Sequence, residues 1–170
     1  MSNDRKIFLK SNIARLHQNF VLWVDKIGDM REAYKKFIPE FQKQRVGWIY
    51  AGRSVDGKKF KALTPKYKKE KEERYGRQPI LIASGALIGA VRGGTGWHQQ
   101  IGMKELTLEI DLPYASVHQD GSIDGKIPQR NYFLTSDGTL NKMDYAQLLQ
   151  AMESKIDDLI KAQLNNLEGV

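Results

Sequence analysis

Two glycines and a lysine in the stretch AGRSVDGKKFKALTP have the spacing of a phosphate-binding loop. Gly52, Gly57 and Lys58 match the pattern G-x-x-x-x-G-K, in which backbone N–H groups and a helix N-terminus hold phosphates. That loop also needs a preceding strand, a following helix, and a Ser or Thr after the lysine to bind Mg²⁺. This chain has Lys59 there and soon reaches Pro65, which prevents a helix from starting at Lys58. The sequence therefore predicts a non-enzymatic protein without a cofactor, and an enzyme using this loop is the weaker alternative.

Other residue types that carry out chemistry are scattered. His17, His98 and His118 lie in different predicted elements, and none has a second histidine or a carboxylate at the spacing of metal ligands. Ser116 and Asp120 flank His118, but three residues so close on one segment do not usually converge into a catalytic set. The chain has no cysteine, which excludes disulfides, thiolate zinc sites and a thiol nucleophile. We predict no catalytic site and no metal site.

The positive charge is concentrated in one part of the chain. The formal net charge is +7, and residues 53–77, here called the basic segment, contain ten Lys and Arg against four Asp and Glu. Such a segment can face nucleic acid or an acidic protein surface, although a solvated surface is the default for these side chains. Its basic residues are Arg53, Lys58, Lys59, Lys61, Lys66, Lys68, Lys69, Lys71, Arg74 and Arg77.

Periodic apolar residues predict amphipathic helices at both ends of one domain, residues 1–170. N-terminal helices are expected over 1–46, with a break at Gly28-Asp29 and a kink at Pro39. A C-terminal helix is expected over 141–167, with Asn141 as its N-cap. The N-terminal stripe consists of Leu9, Ile13, Leu16, Phe20, Val24, Ile27, Met30, Tyr34, Phe37 and Phe41.

The middle of the chain predicts a loop followed by a mixed core. Residues 47–63 are rich in glycine and lysine without a clear period, which indicates a long loop. Residues 64–135 are expected to form an α+β core, beginning with a helix capped by Thr64 before Pro65. WHQQIG and LTLEIDL fit two strands of a hairpin, and IPQRNYFL fits a short strand or extended segment. The predicted fold class is α+β, with a small antiparallel sheet packed against the terminal helices.

No signal peptide is recognisable, and no stretch has the roughly 20 apolar residues of a membrane span. We therefore expect a cytoplasmic protein with no membrane partner.

Two stretches together resemble a known family. GKKFKALTPKYKKEKEERYGRQPILIASGALIGAV is followed about 30 residues later by PYASVHQDG and IPQRNYFL. Their order and spacing are similar to those of the phage virion morphogenesis family, the tail-completion or head–tail joining proteins of Mu-like tailed phages. The resemblance covers roughly residues 57–134. The family commonly has Trp where this chain has Phe60, and Pro where it has Ala62.

The matching positions form two motif blocks. The first block consists of Gly57, Phe60, Leu63, Thr64, Pro65, Tyr67, Lys71, Ile80, Leu81, Ser84, Gly85 and Leu87. The second consists of Tyr114, Ala115, His118, Gln119, Gly121, Ile127, Pro128, Arg130, Phe133 and Leu134. Glycines in such motifs indicate caps or tight turns, and we expect most of these residues to be scaffold. His118 is expected to hydrogen bond to backbone near Arg130.

The resemblance implies a non-enzymatic structural protein of the virion. It implies a neck or tail-terminator subunit that forms a ring, with six subunits expected, beside an adjacent connector ring and the tail tube or sheath. The protein would be found in the host cytoplasm during assembly and then in the virion. The long loop would order only on a neighbour or on the next ring, and the basic segment would face either acidic protein or DNA in the channel. A non-specific nucleic-acid-binding module using residues 53–77 is the alternative function.

Overall fold

A computed structural model describes residues 25–168 of the chain, with side chains through residue 165. The predicted α+β class is confirmed, since the described residues form helices and a two-stranded antiparallel sheet. The apolar positions from Leu9 to Val24, and His17, lie outside the described residues. Within the described range, no helix combines the length and the apolarity that a bilayer crossing requires. In chain order the elements are α1 (Arg31–Ala51), α2 (Pro65–Tyr75), α3 (Ala86–Val91), β1 (Trp97–Ile101), β2 (Leu106–Ile110), α4 (Ala115–Asp120) and α5 (Lys142–Glu168).

Helix α1 begins after the predicted break. Residues 25–28 are helical, Asp29 and Met30 are not, and the Met30 N–H bonds to the carbonyl of Met103 at 2.7 Å. Pro39 lies inside α1, on its exposed side, and does not end the helix. The predicted boundary at residue 46 is wrong: α1 continues to Ala51 because Ile49 is fully buried in the core. The loop therefore starts at Gly52, whose φ of 65° ends the helix.

Helices α1 and α5 pack side by side, although they lie at opposite ends of the described sequence. Lys36 of α1 reaches Asp158 of α5 at 3.4 Å. Near the middle of α5, Lys155 donates to the carbonyls of Lys26 at 2.6 Å and Ile27 at 3.3 Å, and also to that of Asp29. A lysine amine thus satisfies carbonyls at the end of the 25–28 helical turn, where cations are favoured.

The main apolar core joins residues from both motif blocks to α1. Phe60, Leu81 and Leu87 of the first block and Ala115 of the second are all buried in it. Burying such side chains is the main stabilising contribution to folding. The cluster consists of Ile49, Phe60, Leu81, Ile82, Leu87, Ile88, Val91, Ala115 and Tyr132.

The loop after α1 is ordered against its own chain, which corrects the expectation that it would order only on a neighbour or on the next ring. Val55 is buried, and its N–H donates to the carbonyl of Asn131 at 2.8 Å. The Asn131 side chain in turn donates to Asp56 at 2.9 Å. Phe60 is also buried, and its N–H bonds to the Gly52 carbonyl at 2.8 Å. These contacts fix residues 52–60 within a single subunit.

The predicted hairpin is confirmed, with Trp97 opposite Ile110 and Ile101 opposite Leu106. Along β2 the side chains alternate between half-buried and exposed, as a strand with one buried face requires.

The segment IPQRNYFL is not a strand in the structure, so of the two predicted alternatives the short strand is wrong. Its Arg130 N–H bonds to the carbonyl of His118 at 2.8 Å, and its Phe133 N–H bonds to the side chain of Gln119 at 3.0 Å. Because α4 takes these donors, they are not free to pair with another strand. The preceding PYASVHQDG contains helix α4.

Candidate functional site

The basic segment occupies the loop after α1, helix α2 and the turn beyond it. Helix α2 begins as predicted, with Pro65 at its first position and the Thr64 hydroxyl accepting from the Tyr67 N–H at 3.4 Å. It ends before Gly76. The exposed basic side chains are Arg53, Lys58, Lys59, Lys61, Lys66, Lys68, Lys69, Arg74 and Arg77.

Lys71 does not belong to that surface, which corrects its assignment as a partner-facing or DNA-facing residue. It is buried, and its amine donates to the carbonyls of Gln78 at 3.1 Å and Ile80 at 3.2 Å, and to that of Pro79. Burial, and then the positive charge of Arg130, lower the pKa of the Lys71 amine. The residue therefore anchors the turn after α2 to the helix.

The loop with P-loop spacing does not form a phosphate cradle. The Ser54 N–H donates to the Lys58 carbonyl at 2.8 Å, and the Gly57 N–H donates to the Ser54 carbonyl at 2.9 Å. These donors, like the Phe60 N–H, are used inside the loop. A helix precedes Gly52, and the chain after Lys58 is not helical until α2 begins. The loop therefore offers Lys58 neither the free donors nor the helix N-terminus that hold phosphate in a P-loop.

Gln119 is the main connector within the second motif block. Its amide nitrogen donates to the Leu134 carbonyl at 3.0 Å, and its amide oxygen accepts from the N–H groups of Phe133 at 3.0 Å and Leu134 at 3.4 Å. One side chain thus replaces the backbone partners that residues 133–134 would find in a sheet. The sequence singled out this residue through the resemblance, and the structure assigns it this scaffold role.

Gly121 ends α4 at a position that requires glycine. Its φ is 85°, and a Cβ atom there would lie 3.0 Å from the backbone nitrogen of Gln129 and 3.2 Å from the Ile127 carbonyl oxygen. Both the positive φ and the close backbone approach favour glycine. The expectation of a tight turn at this position is confirmed.

Arg130 and His118 form a polar pair at the centre of the second block. The Arg130 backbone N–H donates to the His118 carbonyl at 2.8 Å, so the contact is made by the histidine backbone and not by the imidazole that was expected to make it. The imidazole Nδ1 is itself buried and has no hydrogen-bond partner within residues 25–168. Burial, and then the charge of Arg130, lower the pKa of His118.

The buried ion pair of Arg45 and Asp144 was not predicted from the sequence. Both side chains are fully buried, and the guanidinium holds the carboxylate through two bonds, at 2.7 and 2.6 Å. Arg45 Nε also donates to the Phe133 carbonyl at 2.8 Å, and its guanidinium carbon lies 3.9 Å from the centroid of the Phe41 ring. The available signal was Arg45 itself, which continues the Tyr34, Phe37, Phe41 stripe of α1 by one further step of four.

Helix α5 has an exposed apolar side. Leu149 is 57% exposed and Leu164 is 53% exposed, although both belong to the periodic apolar residues that predicted an amphipathic helix here. The half-buried positions include Leu148 and Met152. The exposed apolar residues of α5 are Met143, Tyr145, Leu149, Ile160 and Leu164.

No group of three or more His, Asp or Glu comes together as metal ligands within residues 25–168. His98 is exposed, with its Nε2 3.9 Å from an Asp111 oxygen. Ser116 and Asp120 are exposed on α4, two residues before and after His118. Positions two apart on a helix do not face each other, so these three residues form no catalytic set.

The fold and its surfaces define a small α+β protein whose polar motif residues hold its scaffold together. Its exposed surfaces include a basic segment and an apolar helix side. No family model, no curated protein and no solved structure matches this chain.

Proposed function

We propose that this chain is a non-enzymatic structural protein of a tailed-phage virion. In this proposal it is a subunit of a neck or tail-terminator ring that completes the tail and joins it to the head. The ring contains copies of this chain, with six expected, and it contacts an adjacent connector ring and the tail tube or sheath. The protein is present in the host cytoplasm during assembly and in the virion afterwards.

One observation carries the proposal: the two motif blocks occur in order in one chain, and the fold brings them together. Phe60, Leu81 and Leu87 of the first block pack in the same core as Ala115 of the second. Gln119 and Gly121 hold the turn and the segment after α4. The resemblance therefore rests on residues that act together to maintain one scaffold.

The exposed apolar side of α5 supports assembly as the mode of action. Subunits of a ring meet through heterologous, head-to-tail interfaces, and exposed apolar patches commonly mark interaction sites. Leu149 and Leu164 lie on a helix that also packs against α1, so a partner on this side would contact a rigid element.

Size-exclusion chromatography with light scattering, followed by negative-stain imaging, tests the proposal. We expect rings with a central hole, either from the protein alone or after mixing with purified tail tubes. Leu149→Glu is expected to prevent assembly without unfolding the subunit, because Leu149 is exposed. Gln150→Glu, at an exposed neighbouring position on α5, is the matched control and is expected to assemble normally. A chain that stays monomeric and does not bind tail tubes would contradict the proposal.

The alternative is a non-specific nucleic-acid-binding module that uses the basic segment. The exposed amines of the loop and of α2 favour it, since Lys and Arg bind phosphates regardless of sequence. A chain of this kind would bind DNA without forming a ring. The imaging experiment therefore separates the two functions.

A further inference from the structure

Arg130 is a buried arginine without a counter-ion in the described part of the chain. The residue is 4% exposed, and its Nε has no hydrogen-bond partner within residues 25–168. No carboxylate in that range forms an ion pair with it, in contrast to Arg45, whose buried guanidinium holds Asp144 through two bonds. A buried charge without a partner costs several kcal/mol, so the position calls for an acceptor.

Polar groups from α2 and α4 interact with Arg130. His118 contributes a second buried nitrogen, Nδ1, that lacks a partner in the described part of the chain. Lys71 is buried nearby, and the charge of Arg130 adds to burial in lowering its pKa. Burial also lowers the pKa of Arg130, and the hydroxyl of Tyr67 acts on it in the opposite direction. Tyr67, which lies on α2, is half exposed.

The Lys71 amine is already used, because it donates to the carbonyls of residues 78–80. The buried nitrogens that remain open are therefore the Arg130 Nε, which is a donor, and the His118 Nδ1, which donates in the tautomer that carries its proton there. A guanidinium presents a planar fork that fits the two oxygens of a carboxylate or phosphate. One such group would satisfy the arginine and neutralise its charge.

We propose that Arg130, with His118 beside it, forms a binding site for an oxyanion, namely a phosphate or a carboxylate group. The site lies where the second motif block meets α2. This inference does not rest on the proposed function, because an isolated chain can bind free phosphate. The oxyanion comes either from a free anion or from an acidic side chain of a second copy of this chain.

The test is a titration of the full chain with inorganic phosphate, against chloride at equal ionic strength. Nuclear magnetic resonance of the Arg130 Nε–Hε group and of the His118 imidazole reports binding in the unaltered protein. We expect both signals to shift saturably with phosphate. The unfolding midpoint is expected to rise by about 3–5 °C at a phosphate concentration roughly tenfold above the dissociation constant.

Arg130→Met retains much of the side-chain volume and removes the charge. We expect it to lose the saturable phosphate response. Arg92→Met is the matched control: Arg92 is exposed and lies against Tyr50, and we expect this variant to respond as the unaltered protein does. If Arg130→Met does not fold, the resonance titration of the unaltered chain still decides the question.

Two measurements distinguish a free anion from an acidic side chain of a second copy as the source of the oxyanion. A saturable response that is independent of protein concentration supports a site for a free anion. Phosphate that dissociates an oligomer, measured by sedimentation and lost in Arg130→Met, supports a carboxylate from a second copy. The proposal is overturned if neither the resonances nor the oligomer respond to phosphate. It is also overturned if Arg130→Met retains the full response.

Discussion

Arg45 and Asp144 link three separate parts of the chain through charges that water does not reach. Arg45 lies on α1, Asp144 lies on the first turn of α5, and the Arg45 Nε bonds to the backbone of Phe133. Asp144 also accepts from the Asn141 N–H at 3.0 Å, while its own N–H bonds to the Asn141 side chain at 2.9 Å. One carboxylate thus pairs with an arginine and takes part in a reciprocal helix cap.

Replacing Asp144 tests how much this pair stabilises the fold. Asp144→Ala leaves the Arg45 guanidinium buried without its counter-ion, so we expect a loss of about 3–5 kcal/mol in the free energy of unfolding. Urea denaturation measures it. Asp158→Ala is the control on the same helix: its carboxylate pairs with Lys36 at 3.4 Å and is exposed. A loss of less than about 1 kcal/mol is expected there, and equal losses would contradict the argument.

His118 is predicted to make stability depend on pH. Burial and the charge of Arg130 hold its pKa below the ordinary value of about 6.5. Between those two values the unfolded chain binds more protons than the folded one, so stability rises with pH in that window and is lost as the pH falls below about 6.5. The Tyr114 ring packs edge-on against the imidazole, with ring centroids 6.0 Å apart.

The measurement compares the free energies of unfolding at about pH 7.5 and about pH 5.5, on either side of the ordinary histidine pKa. His118→Gln is expected to lose less stability over this interval than the unaltered protein, because the group that titrates in the window has been removed. His98→Gln is the control, since His98 is exposed on β1, and it is expected to follow the unaltered protein. If His118→Gln loses as much free energy of unfolding between the two pH values as the unaltered protein, the pH dependence does not come from His118.

Helix α1 shows how packing overrides local preference within an element. Gly47 and Pro39 both disfavour helix, yet α1 includes both residues. Ile49 and Arg45 have no exposed surface, and Ile49 would leave the core if the helix stopped at residue 46. The end comes instead at Gly52, where the αL conformation suits glycine.

Gly47→Ala tests the helical state of the residues beyond 46. A Cβ atom at Gly47 would meet nothing within 4 Å, so alanine is expected to stabilise the protein by about 0.5–1 kcal/mol through helix propensity. Urea denaturation measures the difference. Gly57→Ala is the contrasting change: Gly57 also has open space but a φ of 78°, so a loss of about 1 kcal/mol or more is expected. A destabilising Gly47→Ala would argue against helix at this position.

At the scale of the whole molecule, the cations of residues 25–168 are either buried or exposed, and Arg130 is buried without a carboxylate partner in that range. Arg45, Lys71 and Lys155 are buried and bind carboxylate or carbonyl groups of the same chain. Apart from Lys71, the basic residues of the basic segment are exposed. These exposed charges can contact a partner without rearrangement of the fold. Substitutions that test partner binding should therefore be made at these exposed residues only.

Charge removal on α2 tests the basic segment for contact with nucleic acid. We expect weak DNA binding whose affinity falls steeply with salt. The slope of the logarithm of the binding constant against the logarithm of the salt concentration is then measured for the variant that lacks lysines on α2. This slope is expected to decrease in magnitude by about 0.9 for each DNA phosphate that the variant no longer neutralises. Fluorescence anisotropy at several salt concentrations measures the slope. The triple change to glutamine is made at Lys66, Lys68 and Lys69.

A second triple change on the long helices controls for net charge. It removes the same number of exposed lysines from α1 and α5, and the salt slope is expected to stay as in the unaltered protein. If both triple variants weaken DNA binding equally, total charge, rather than the basic segment, attracts DNA. The control positions are Lys43, Lys142 and Lys161.

Local signals in the sequence were sufficient for much of the architecture. The hairpin of β1 and β2, the Thr64 cap, the break near Asp29 and the Asn141 cap of α5 were all predicted correctly. Each depends on side-chain alternation or on groups within a few residues of one another, so composition and spacing reveal it. The basic segment was located in the same way, since Lys and Arg are exposed by default.

Tertiary structure alone decided which charged side chains are buried and which carbonyl or carboxylate groups they bind. Lys71 belongs to a polar helix, and nothing in its spacing distinguishes it from the exposed Lys68, yet the turn after α2 brings three carbonyls to its amine. Arg45 meets Asp144 across 99 positions of sequence. The free energy of a buried charge depends on partners that only the folded chain brings together. Sequence spacing therefore indicated on which helices these residues lie. The fold determined whether they are buried and which groups they bind.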